Sequence, residues 1–214
     1  VPEFLRSHPL TTSRISDSKI RAEQFSNHRY IEDTVHFQYA KARAIGISSD
    51  PSALAKHYQK LIDEEPNNLN YYIYSIALNR LARGKQALQA LDKINPNNNE
   101  RFPVQIARAQ AYIVDRQIDE ALKILQELDD LYPRNESVIY YLATALLEDK
   151  KPKAALDKLD TLSDDITGNP AIERLRARAA DGAGQPWRSH ESLSNYDLMH
   201  ARFGTALEHL LIAA

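Results

Sequence analysis

Residues 102–135, FPVQIARAQAYIVDRQIDEALKILQELDDLYPRN, run directly into residues 136–169, ESVIYYLATALLEDKKPKAALDKLDTLSDDITGN. Laid over one another at a step of 34, the two segments match Ala109 with Ala143, Ala121 with Ala155, Leu125 with Leu159 and Leu128 with Leu162. The register extends both ways. Small residues recur at Ser75, Ala109, Ala143 and Ala177, and again at Ala87, Ala121, Ala155 and Ser189. Large apolar residues keep step at Leu91, Leu125, Leu159 and Leu193, and at Ile94, Leu128, Leu162 and Tyr196. Residues three or four apart share a face of a helix, so each unit carries two apolar stripes, one per helix. A fixed period of this length predicts an all-α stack of helix hairpins, small residues lying where helices approach and large ones filling between.

The frame divides the chain into units 68–101, 102–135, 136–169 and 170–203, preceded by a weaker unit at 35–68 that uses Ala42, Ile45, Leu54, Tyr58, Leu61 and Pro66. Turn residues fall between the stripes at Ala82-Arg83-Gly84, Asp115-Arg116-Gln117, Asp149-Lys150-Lys151 and Gly182-Ala183-Gly184. Proline and asparagine mark the joints, as at Pro66-Asn67-Asn68, Pro133-Arg134-Asn135 and Asn169-Pro170. Residues 1–34 lie outside the period, and 204–214 are expected to form one further helix. The absence of an initiator Met at Val1 and the apolar run ending at Ala214 suggest a piece of a longer protein.

Composition narrows the function classes. A formal net charge of -2 gives no basic excess to track phosphates, which argues against nucleic acid as partner. No apolar run reaches the ~20 residues of a membrane span. The chain has no cysteine, which excludes disulfides and thiolate metal sites. Seven histidines, at 8, 28, 36, 57, 190, 200 and 209, include no pair four apart, and no H-E-x-x-H occurs. His190-Glu191 is followed by Ser194 where a second zinc ligand would stand, so the histidines other than His8 read as surface or packing residues. No nucleophile elbow or phosphate loop is present, and the expectation is a chain with no catalytic residues and no cofactor of its own.

Small residues at places 8 and 20, bulky ones at 4, 7, 11 and 24, and proline at 32 resemble the tetratricopeptide repeat, most closely over 102–169. Arg108 and Arg176 depart from it, standing where leucine is usual. The resemblance implies a right-handed α-solenoid of about five repeats whose first helices line a concave surface with their second, fifth, ninth and twelfth residues. That places Tyr39, Tyr72, Tyr140 and Arg174 at the fifth place, Arg43, Gln110, Thr144 and Arg178 at the ninth, and Asn79 at the twelfth. Tyrosine offers large contact area with little entropy to lose, and arginine offers forked donors to carboxylates. The expected ligand of this groove is a polypeptide.

Ahead of the repeats, Ser7-His8-Pro9-Leu10 with Arg14-Ile15 resembles the T-H-P…R-I stretch of HtpX-like zinc metallopeptidases. Joined to helical repeats, it resembles the periplasmic members of that family that act in outer-membrane protein assembly and quality control. What the resemblance implies is a zinc-dependent parent protease with its H-E-x-x-H upstream, a periplasmic location, and a repeat tail that binds unfolded outer-membrane polypeptide or assembly machinery. His8 then becomes a candidate for gating access to the zinc. The alternative is a stand-alone repeat scaffold that organises a complex with no protease attached.

Overall fold

For the helices that start at Pro51, Asn68, Glu136, Pro152, Pro170 and Pro186, the reason a helix begins where it does is written at its N-terminus. Asp50, Asn67, Asn135 and Asn169 stand just before first or second helices, and their side-chain oxygens accept the free backbone N–H of Ala53, Asn70, Val138 and Ala171. Pro51, Pro152, Pro170 and Pro186 occupy the first turn, where the missing N–H is no loss. Within each hairpin the first helix stops in one repeated way. The N–H groups of Arg83, Gln117, Lys151 and Gln185 donate to the carbonyls of Leu78, Tyr112, Leu146 and Ala180, closing the same six-residue loop every 34 residues.

Each of those loops needs one left-handed residue, supplied by Ala82 (φ 58°), Arg116 (62°), Lys150 (58°) and Gly184 (73°). Only the last is glycine, so three of the four carry a Cβ penalty. Lys150→Gly is therefore expected to stabilise the fold by about 0.5–1 kcal/mol. A raised urea midpoint at unchanged m-value would register it.

The computed structural model describes residues 16, 19–21, 33–97, 100–162 and 168–214. The chain divides into two units, residues 1–34 and residues 35–214, and the repeats belong to the second. The helices of that second unit are α1 (Val35–Ser48), α2 (Pro51–Glu64), α3 (Asn68–Arg80), α4 (Gly84–Leu91), α5 (Arg101–Val114), α6 (Ile118–Leu131), α7 (Glu136–Glu148), α8 (Pro152–Leu159), α9 (Pro170–Gly182), α10 (Pro186–Met199) and α11 (Phe203–Ala213). No strand occurs among the described residues.

From α2 onward every helix packs on the next in sequence. The first helices α3, α5, α7 and α9 also touch one another in order, whereas α4, α6, α8 and α10 meet chiefly through them. A layer whose members touch is the inside of a curve, so the first helices form the concave face. Ser75, Ala109, Ala143 and Ala177 are buried where these helices meet, and Leu91, Leu125 and Leu159 are wholly buried in the second layer. Each such leucine contributes about 1.5–3 kcal/mol by leaving water.

Three features depart from the simple period. The second helices alternate in length: α4 and α8 have 8 residues, α6 and α10 have 14. This accounts for the two misplaced arginines. Where α4 ends at Leu91, Arg108 reaches back from α5, donating to the Leu91 carbonyl at 3.2 Å and to Asp92 at 2.6 Å. Where α8 ends at Leu159, Arg176 does the same from α9, at 3.4 Å to that carbonyl, with Asp160 at 3.9 Å. A guanidinium at a helix C-terminus satisfies exposed carbonyls and meets the negative end of the dipole.

In α10 the expected buried face is wrong by a rotation. Ser192, Ser194 and Asp197 are buried, while Ser189 and Leu193 are only partly so, because α11 packs closely on that side through Ala206. The third departure is α1. It lies along α3 and barely meets α2, although the two are joined by a short turn.

Candidate partner-binding groove

The nine residues expected to line the groove separate into two groups. Tyr39, Tyr72 and Asn79 are buried at 4%, 1% and 5% exposure, so the expectation that they face a partner is corrected. For the two tyrosines the physical reason is α1, whereas Asn79 turns to α5. The Tyr39 and Tyr72 rings meet at 4.8 Å, and the Tyr39 hydroxyl donates to Glu100 at the head of α5. Burial, and then the Glu100 carboxylate, push the Tyr39 phenol far above its ordinary value. Arg43 extends from α1 to the Tyr141 hydroxyl on α7, at 3.2 Å and across 98 residues of sequence. Burial works against the charge of Arg43, and the Tyr141 and Tyr72 phenols more than offset it. Tyr141 in turn donates to Gln110 Oε1 at 3.4 Å, and Asn79 donates to the Ala107 carbonyl at 3.3 Å. These contacts turn the side chains inward, although Asn79 Oδ1 is buried without a hydrogen-bond partner among the described residues.

The second group is open. Tyr140 and Thr144 on α7 are half-buried, and Arg174 and Arg178 on α9 are exposed. Tyr140, Arg174 and Arg178, with Ala171 and Leu175, line a shallow pocket of about 190 Å³. Burial raises the Tyr140 phenol and Tyr141 adds to it, while Arg174 and Arg178 pull the other way; the net shift is upward, so it stays a hydrogen-bond donor at neutral pH. Arg178 has Glu148 at 3.8 Å. Arg174 has no carboxylate partner among the described residues; its guanidinium lies 5.7 Å from the Tyr196 ring, which Arg202, the residue just before α11, approaches to 5.9 Å. Thr144 spends its hydroxyl on the Tyr140 carbonyl.

The sequence frame misses Tyr141, Glu100, Glu148 and Tyr196. Tyr141 sits one place after the groove position, and nothing in a 34-residue period says that α1 will reach it. His8 and the whole Ser7–Ile15 motif lie outside the described residues. Among the described residues no group of three or more His, Asp or Glu is placed to hold a metal ion, and no helix is long and apolar enough to cross a membrane.

Comparison with known proteins bears on this geometry. Residues 113–179, from α5 to α9, match the family described as tetratricopeptide repeat. With the two-layer stack and the recurring left-handed turn, that decides the architecture. Residues 35–214 fold as a stack of helix hairpins of the tetratricopeptide-repeat kind. Across 195 residues, 91% of its length, the chain is 27% identical to the Beta-barrel assembly-enhancing proteases of Escherichia coli (strain K12) and Shigella flexneri. It spans about a third of the length of these relatives, 34%. Two solved structures of MamA, one a double mutant and one from Desulfovibrio magneticus RS-1, resemble it at TM-score 0.45 with 16% and 17% identity. Each comparison covers 82% of this chain, and 92% and 93% of the MamA chains.

Proposed function

We propose that this helical stack is the polypeptide-binding arm of a periplasmic zinc metallopeptidase that acts in outer-membrane protein assembly and quality control. Repeat solenoids present extended concave surfaces to protein partners. The observation that carries the site is the open pocket at α7 and α9, where Tyr140, Arg174 and Arg178 converge with one guanidinium not engaged by a carboxylate among the described residues. An extended segment would lay an apolar side chain on Tyr140 and Leu175 and bring a carboxylate to the two arginines, which offer forked donors. The name and the overlap of the relatives support the protease context. Zinc belongs to the peptidase portion of the longer protein in this reading, with His8 at its edge, and the helical stack binds without supplying chemistry of its own.

The reading is tested with an unfolded outer-membrane β-barrel polypeptide as probe, by fluorescence anisotropy. Arg174→Ala with Arg178→Ala is expected to weaken binding about tenfold and to flatten its salt dependence, since exposed charge pairs are screened. Helical content should stay unchanged, both residues being exposed. Binding that survives the double substitution would move the site off this pocket. Zinc content and proteolysis of the longer protein check the context separately.

A further inference from the structure

We propose that the groove over α3, α5 and α7 is a helix-binding site and that α1 is its tethered internal occupant, displaced when a partner helix of like chemistry arrives. The proposal rests on the reading of the concave face as a polypeptide site and names the class of partner its N-terminal half takes.

Every later first helix packs firmly on the second helix of its own unit; α1 does not, and lies along α3 instead. Its seat is built from four residues on one helical face. Ala42 and Gly46 are buried, and a Cβ on Gly46 would stand 2.7 Å from Ile76 Cγ2, so the Ile76 side chain packs directly on the bare Gly46 backbone and leaves no room for a side chain there. Tyr39 closes one end of the seat through Tyr72 and Glu100, and Arg43 bridges to Tyr141. At the other end Arg80 of α3 donates to the carbonyls of Gly46 at 2.8 Å and Ser49 at 2.6 Å, a cap for the final turn.

This is the pattern of a helix laid in a groove, read by anchors three, four and seven residues apart. The helix it fits has a phenol, then a small residue three on, a guanidinium four on and a small residue seven on. Within one chain the tether gives α1 an effective concentration on the order of millimolar, so a free helix competes only when the seat is vacated or its own affinity is higher. The arrangement makes the N-terminal half of the groove available by exchange, while the Tyr140 pocket stays open throughout.

The experiment uses the full chain and a fluorescent peptide of residues 35–48, VHFQYAKARAIGIS. Gly46→Leu in the chain drives a side chain into Ile76 and evicts α1 in place. The peptide is expected to bind that variant at least about tenfold more tightly than the unaltered chain, where α1 competes. Peptides carrying Arg43→Ala or Gly46→Leu should lose that binding. Equal binding to both chains, with the variant still folded, overturns the proposal. Should the variant fail to fold, hydrogen exchange on the unaltered chain decides. Amides of α1 are expected to open locally, well before those of α3 to α8; exchange of α1 only through global unfolding overturns it. Because the probe is this chain's own segment, the result is independent of whether outer-membrane polypeptides bind at Tyr140.

Discussion

Arg176→Met is expected to destabilise the fold by about 3–5 kcal/mol, the cost of leaving a buried carboxylate without its counter-charge. Glu173 is 2% exposed, and its Oε1 lies 2.5 Å from Arg176 Nη1. Arg176 is itself 12% exposed and ties three things together: Glu173 on its own helix, the Leu159 carbonyl that ends α8, and Asp160 just beyond. Methionine matches the length of the stem and fills the space, so packing alone would predict a small loss. The charge left behind decides otherwise, since among the described residues Asn195 at 3.4 Å is the other side chain donating to Glu173. Urea unfolding measures the difference. Adding Glu173→Met should recover most of the loss, because removing both charges together removes the desolvation penalty as well. A single variant as stable as the parent would mean that the pair is solvated and that α8 ends without this cap.

Gly84→Ala is expected to lower stability by about 1–3 kcal/mol, against the direction that helix propensity alone predicts. Gly84 opens α4, where alanine would ordinarily gain about 1 kcal/mol over glycine. A Cβ there would lie 2.6 Å from the Asp115 backbone nitrogen and 2.7 Å from the Ala111 carbonyl oxygen. Those are backbone atoms of the α5 terminus and cannot swing aside, so α4 and α5 must separate. Gly204→Ala is the control: nothing lies within 4 Å of its Cβ, and a gain of up to about 1 kcal/mol is expected. Thermal unfolding of the two variants should move in opposite directions.

The two substitutions mark where reading by period works and where it stops. The all-α stack is legible because every unit must solve one local problem, turning a helix back on itself. The answer recurs as a buried small residue and a left-handed turn position, each with a fixed place in the frame, joined by an asparagine cap before α3, α7 and α9. Arg108 and Arg176 look like defects in that frame and are its consequences one level up, since they cap the short helices α4 and α8. In α10 the frame names the wrong face, because α11 on its other side claims the small residues for a close approach.

The groove is harder to read than the fold for the same reason. A place in a repeat says which way a side chain points from its helix, and Tyr39, Tyr72, Tyr140 and Arg174 share one place. It does not say what lies opposite. Tyr72 meets α1 and is closed; Tyr140 meets the arginines of α9 and remains open. The sequence by itself determined the repeating helix hairpin, its period, its caps and the inward set of tyrosines and arginines, since these follow from contacts within some 34 residues. Only the tertiary structure decided which of them are available. That depends on Arg43 meeting Tyr141 across 98 residues, and a contact of such separation leaves no trace in a local pattern.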